Sequence, residues 1–377
     1  MLSPNPLSLI CALLLCFPLA ILFTLHRTPS DYPLLFPFPS LYFPNANTHR
    51  KITIFPLPPP PDDDDFLFPL AARVNSTPSP TPKLAFMFLT TSPLPFAPLW
   101  ELFFRNVPPE RFNIYIHADP TRQYNPPFSG VFAHRLIPSK PSHRFSPTLA
   151  AAARRLLAHA LLHDSANSMF ALLSPSCIPL HSFHFTYSTL IRSNKSFIEV
   201  LKNEIGTYDR WAARGPEVML PVVKLADFRI GSQFWILTRK HARMVVSDER
   251  VWSKFDLPCV RWDTCYPEEN YFPTLLSMGD HPGLVTATLT HVDWKGRFDG
   301  HPRTYEASDV GPDLIRRLRI ARPRYGDGGM RIRTAGGRNS SSTAKSHPHH
   351  PFLFARKFSA DSLQPLMNIS TDIIFKD

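Results

Sequence analysis

Cysteine is scarce in this chain: five in 377 residues, two of them (Cys11 and Cys16) inside the first apolar stretch. Cys177, Cys259 and Cys265 remain, without zinc-finger spacing. Cys259 and Cys265 are close enough to pair across a short loop, leaving Cys177 unpaired; three free thiols are the alternative. Long hydrophobic runs are equally rare. Residues 7–25 are just long enough to span a bilayer, and the rest of the composition is that of a globular protein rather than a polytopic membrane protein. Acidic residues are few, 30 against 41 Lys and Arg, giving a net charge of +11 that suits anionic partners. No RNA-binding aromatic signature or coherent basic helix accompanies that charge, so no nucleic-acid partner is expected. Asp-x-Asp, which can hold a metal beside a diphosphate, is missing from everything after residue 65.

Proline, by contrast, is abundant, with 42 residues against an average of about 5%. It concentrates between residues 28 and 82, where four prolines at 58–61 precede four aspartates at 62–65. Such a composition cannot bury a core and predicts an extended, partly polyproline stem, the aspartates being a solvated, self-repelling spacer. The apolar run before it ends at His26 and Arg27 with no small-x-small cleavage pattern, which predicts an uncleaved anchor; a cleaved signal is the alternative. Lys and Arg do not fix its orientation, because residues 1–6 carry none and Arg27 lies beyond the run. Sequons at Asn75, Asn194, Asn339 and Asn368 point to the secretory lumen. The expected organisation is a cytosolic tail at 1–6, an anchor at 7–25, a stem at 26–82 and a lumenal domain at 83–377.

Within that domain, apolar runs at 84–91, 112–117 and 169–173 read as strands. Residues 96–106, 148–163 and 181–192 read as helices, with Ser146 as cap and Pro147 as first residue of the second. The alternation predicts an α/β domain with a mainly parallel sheet covered on both faces. Ligands of such sheets lie at the carboxyl ends of strands, where His117, Asp119 and Ser174 fall. A strand at 233–237 and a helix at 239–246 follow. The Arg/Gly/Ser/His-rich stretch 322–351 predicts a flexible loop, its His347, His349 and His350 being part of a solvated tract.

The block CYPEENYFPT at 265–274 carries the most chemistry. Glu268 and Glu269 stand behind a proline among Tyr266, Tyr271 and Phe272. Partial desolvation raises a carboxyl pKa, and the positive end of a following helix lowers it again. Opposed effects of this kind make a usable general base near neutral pH. A helix starting at Pro267 leaves the Glu269 carbonyl free, because Pro273 has no N–H to give it. A helix starting at Pro273 instead places both glutamates on the preceding loop. The isolated cations Arg303 and Lys357, with one acid, suit a substrate carrying phosphate.

The order of blocks resembles a known family. KLAFMFLT at 83–90, PLPFAPLWE at 93–101, LLSPSCIPL at 172–180, GSQFW at 231–235, VSD at 246–248, CYPEENYFPT, HPRTY at 301–305 and FARKF at 354–358 together resemble the core-2/I-branching N-acetylglucosaminyltransferase family in its plant branch. The resemblance implies a GT-A type glycosyltransferase fold, a Rossmann-like mixed sheet flanked by helices, on a single-pass type II Golgi membrane anchor. It implies an inverting reaction without divalent metal or other cofactor, moving a sugar (GlcNAc- or GlcA-like) from a UDP-sugar to a glycan acceptor on a glycoprotein or cell-wall polysaccharide. Homo- or heterodimers in the Golgi are also expected. A catalytically weak member that binds glycans or scaffolds other enzymes is the alternative, and a secreted lectin-like protein a third.

Residue by residue, the resemblance makes Glu269 the base. Arg303 and Lys357 become the cations on the donor diphosphate, and Leu89, Thr90, Thr91 and Asp119 further donor contacts. Trp294, Arg210 and Glu199 fall on the acceptor side. An inverting transfer needs one base for the acceptor hydroxyl and charge stabilisation on the departing diphosphate, which two fixed cations can supply. The chain departs from the branch at Asn270, where a histidine is usual. It departs again at 141–147 and 150–153, where a Glu-Trp-Gly-type stretch and an Ala-Glu pair are usual, and at 174–176, where Ser-Pro-Ser replaces Ser-Glu-Ser.

Overall fold

The computed structural model describes residues 63–77, 79–297, 300–329 and 350–377, all within one compact unit, Pro58–Asp377. The expected anchor at 7–25, Asn339 and most of the expected loop lie outside the described residues. Among those described, no helix is long and apolar enough to cross a membrane.

The strands are β1 (Lys83–Thr90), β2 (Phe112–Ala118), β3 (Asn167–Leu173), β4 (Ile178–Pro179), β5 (Ser196–Phe197), β6 (Ile236–Thr238), β7 (Leu284–Val285), β8 (Thr290–Val292) and β9 (Phe354–Arg356). Six form one sheet in the order β2-β1-β3-β6-β5-β7. β1 pairs in parallel with β2 and β3, and β5 with β7, while β6 runs antiparallel between β3 and β5. The sheet is therefore mixed but rich in parallel pairs. A second sheet, β4-β9-β8, stands beside it, with β8 and β9 parallel.

Side chains of β1 alternate between two cores, as a doubly covered strand requires. Ala85, Met87 and Leu89 face one core; Leu84, Phe86 and Phe88 face the other. The helices are α1 (Asp64–Ala72), α2 (Ala97–Phe104), α3 (Pro147–His163), α4 (Phe183–Ile191), α5 (Thr207–Trp211), α6 (Arg239–Ser247), α7 (Trp252–Phe255), α8 (Pro267–Asp280), α9 (Pro312–Ile320) and α10 (Leu363–Asn368). α1, α3, α6 and α8 cover the first core; α2, α4, α9, α10 and the small sheet cover the second. Ser146 caps α3 by accepting from the Thr148 N–H, with Pro147 at the first helical position.

α1 corrects the expected stem. Asp63 accepts from the Asp65 N–H to cap the helix, and Asp64 pairs with the buried Arg155 and with Lys140. Leu67 and Ala71, one turn apart, are completely buried against α3 and α6. Two of the four aspartates are thus a cap and an ion-pair partner rather than a spacer, and packed structure reaches Asp63 rather than stopping at Lys83. The start of the expected flexible loop is also ordered: Arg324 bonds Glu204 at 2.5 Å, and Asp327 accepts from the Lys202 and Asn203 N–H groups.

Candidate active site

The glutamate pair sits in the first turn of α8, which starts at Pro267. Pro273, inside the helix, has no N–H for the Glu269 carbonyl. The Gly231 N–H donates to it instead, at 2.8 Å. The segment carrying Gly231 is stitched to α8 beyond that bond, since Thr274 Oγ1 accepts from the Arg229 N–H at 2.9 Å and Asn270 Nδ2 donates to the Arg229 carbonyl at 3.4 Å. Asn270 therefore performs a buried packing role at the position where the branch carries histidine. A Cβ at Gly231 would stand 2.1 Å from the Glu199 carbonyl oxygen, so only glycine fits between Glu199 and α8.

The two carboxyls have different surroundings. Glu269 is partly exposed, and its Oε2 accepts a 2.7 Å bond from Arg210 Nη1. Arg210 also lies 4.4 Å over the Tyr266 ring, which fixes the guanidinium plane beside the helix start. Glu268 is 5% exposed, and its Oε2 has no hydrogen-bond partner. Burial first, and the charge of Glu269 second, push the Glu268 carboxyl up to about 8. Glu199 is pushed up to about 7, chiefly by desolvation, with Arg324 opposing and Glu204 and Glu269 adding to it. Glu269, Arg210 and Glu199 are thus neighbours, although Arg210 is 59 residues from Glu269 in the chain.

The disulfide Cys259–Cys265 closes the loop before Tyr266. Phe145, in a left-handed conformation with φ of 62°, packs its ring edge-on to Tyr266 and Trp262, while Arg144 lies 5.2 Å over it. The divergent stretch 141–147 therefore reaches the rim of the site.

The expected phosphate cations come from the small sheet. Val292 stands in register with Arg356, and Tyr305 bridges to Phe358, with the Tyr305 N–H donating to the Lys357 carbonyl at 2.8 Å. This ladder brings the segments of Trp294, Arg303 and Lys357 side by side. Arg303 donates its N–H to the Asp293 carbonyl, but its guanidinium is paired with Asp309 at 2.7 Å and lies over Tyr305. Among the described residues Lys357 makes no ion pair, and it is held below its ordinary pKa by desolvation, then by Arg356 and Arg144. Trp294 is 51% exposed, a flat apolar surface at the end of β8.

Leu89, Thr90, Thr91 and Asp119 lie at the carboxyl ends of β1 and β2. Asp119 is engaged with its own surroundings: it accepts from the Thr121 N–H and hydroxyl and from the Ser142 N–H. Burial works to raise its pKa, but these bonds outweigh it and hold the carboxyl below the usual range. Leu89 and Thr90 are buried and Thr91 is exposed. Asn75, Asn194 and Asn368 are exposed, as sequon acceptors must be. Cys177 is a buried free thiol.

Arg356 escaped the sequence reading. It is half-buried with its Nε enclosed, 4.4 Å over the Phe234 ring, and Cys177, Arg144 and Glu269 are its electrostatic neighbours. It therefore links the small-sheet ladder to the glutamate pair. The signal was two basic residues side by side in an otherwise apolar strand, one of which had to be drawn inward.

The family model described as Core-2/I-Branching enzyme matches residues 84–319, a span that contains Glu199, Arg210, Glu269 and Arg303. The chain is also similar to "Glycosyltransferase BC10" of Oryza sativa subsp. japonica, at 32% identity over 334 residues, covering 79% of this chain and 80% of that protein. A family match over most of the folded unit, with that relative alongside, shows that the chain belongs to the core-2/I-branching enzyme family and is a glycosyltransferase.

Proposed function

We propose that this GT-A type transferase is inverting, takes a UDP-sugar as donor, and uses Glu269 as base toward a hydroxyl of a glycan acceptor. The observation carrying it is the Glu269–Arg210 pair at the start of α8, beside the Arg356–Lys357 cations. In the reaction the acceptor oxygen attacks the anomeric carbon while Glu269 takes its proton. The bond from that carbon to the phosphate oxygen breaks, and the diphosphate leaves with the electron pair. A single displacement inverts the anomeric centre.

Arg210 orients the Glu269 carboxylate and moves to a hydroxyl of the acceptor as the sugar enters. Cations on the small-sheet side take the charge developing on the diphosphate, in place of a metal. Trp294 offers its face to an acceptor sugar ring. A UDP-linked GlcNAc-like or GlcA-like donor, an acceptor on glycoprotein or cell-wall polysaccharide, a type II Golgi setting and pairing into dimers complete the proposal.

Glu269→Gln separates this reading from a glycan-binding scaffold. In soluble protein, UDP affinity is expected within about threefold of wild type, while transfer or donor hydrolysis falls by about 10³-fold or more. Unchanged turnover in Glu269→Gln would move the base elsewhere, with Glu268 the next residue to replace.

A further inference from the structure

Among the described residues no ion pair balances the charge of Arg356, and the one carboxylate within its electrostatic reach, Glu269, is already paired with Arg210. The Arg356 Nε is buried and makes no hydrogen bond, and none of the ion pairs among the described residues includes Arg356, Lys357 or Arg144. The loop that closes on β9 is 174–177, held by the Phe358 N–H donating to the Ser176 carbonyl and by the Ile178–Ala355 pairing. It reads Ser174-Pro175-Ser176-Cys177 and offers no carboxylate. Meanwhile Arg144 approaches from the other side on the Phe145–Tyr266 stack. Three cations thus gather between the carboxyl end of β3 and the glutamate pair. Burial lowers the Arg356 pKa, and repulsion from Arg144 adds to this, while Cys177 and Glu269 oppose it. Arg144 is exposed and Lys357 half-buried, but the Arg356 Nε is enclosed, and like charges brought up to an enclosed cation are costly unless an anion joins them. Arg303, by contrast, already has Asp309.

We propose that Arg356 is a third cation on the donor's diphosphate, contacting it from the buried side through its free Nε–H while Lys357 holds the outer side and Arg303 acts from the rim. A planar guanidinium stacked on Phe234 is preorganised for phosphate oxygens, and a lysine in its place would be a point charge on a flexible stem. The proposal rests on the nucleotide-donor reading above. It adds a residue within electrostatic reach of both Lys357 and Glu269.

The test is calorimetric titration of UDP, inorganic pyrophosphate and uridine against wild type, Arg356→Gln and Arg356→Lys. UDP and pyrophosphate are expected to bind Arg356→Gln at least tenfold more weakly than wild type, uridine equally well, and Arg356→Lys is expected in between. If wild type binds UDP and Arg356→Gln binds it equally well, Arg356 is no phosphate ligand. A parallel loss of uridine affinity would mean a collapsed site, and it also overturns the assignment. If wild type binds neither UDP nor pyrophosphate, the donor reading itself falls, which is a separate outcome. Should Arg356→Gln not fold, Arg356→Lys decides alone: it retains the charge without the Nε donor, and undiminished UDP and pyrophosphate affinity refutes the contact.

Discussion

Two adjacent glutamates with one backbone between them are set to different tasks by what surrounds each. Glu269 reaches Arg210 and solvent; Glu268 turns inward, its Oε2 unpartnered. With its pKa raised to about 8, Glu268 is largely protonated at neutral pH. Its sign in stability follows from linkage: a raised carboxyl favours the folded state at pH below its unfolded value near 4.5, and that contribution is lost as pH rises toward 8. Glu268→Gln holds the group neutral throughout. The variant should match wild type near pH 5 and be more stable by about 1–3 kcal/mol near pH 8.5. Denaturant titrations across that range check this, and a difference that does not grow with pH would show that Glu268 is charged and solvated. Motif order singled out Glu269 as the candidate base, and Glu269 is the partly exposed member of the pair; the inward turn of Glu268 was not legible, because both residues read alike in sequence. Nor was the contact with Arg210, since no local pattern records a pair closed by tertiary folding.

At the scale of elements, α8 depends on a proline and a glycine that come from different parts of the chain. Pro273 removes one helical hydrogen bond, and the Gly231 N–H supplies it from outside at 2.8 Å. The proline's consequence was legible: a helix beginning at Pro267 must leave the Glu269 carbonyl free. The identity of its partner was not, because Gly231 carries no side-chain chemistry and no turn signature. Gly231→Ala would place a Cβ 2.1 Å from the Glu199 carbonyl, driving apart the segment bearing Glu199 and the start of α8. A loss of about 2–4 kcal/mol is expected, with transfer falling about 100-fold because Glu269, the proposed base, is displaced by a fraction of an ångström to an ångström. Melting and single-turnover rates measured together check it; a destabilised variant with full activity would uncouple Gly231 from the base. β1, β2 and β3 were visible from their apolar runs. β6 was placed too early, at 233 rather than Ile236, because Phe234 and Trp235 are apolar and buried, although only the Trp235 carbonyl reaches the sheet, accepting from the Leu172 N–H at 3.1 Å.

For the whole molecule, the folded unit begins earlier than composition implied. Proline density and four consecutive aspartates hid an amphipathic turn: Asp63 as cap, then Leu67 and Ala71 at the spacing of one helical face. Pro69 within α1 costs a helical hydrogen bond, and burial of that face against α3 and α6 outweighs it. α1 also brings Asp64 to the buried guanidinium of Arg155. Removing it exposes apolar surface on α3 and takes one carboxylate from a buried cation, at a cost on the order of 4 kcal/mol. A soluble fragment starting at residue 83 should therefore melt about 6 °C below one starting at residue 58, and should expose hydrophobic surface to a dye such as ANS. Asp64→Asn in the longer fragment isolates the ion pair and should account for only part of that drop, the remainder belonging to Leu67 and Ala71. Equal melting of the two fragments would return residues 63–72 to the stem, and with them the view that the catalytic unit needs nothing before its first strand.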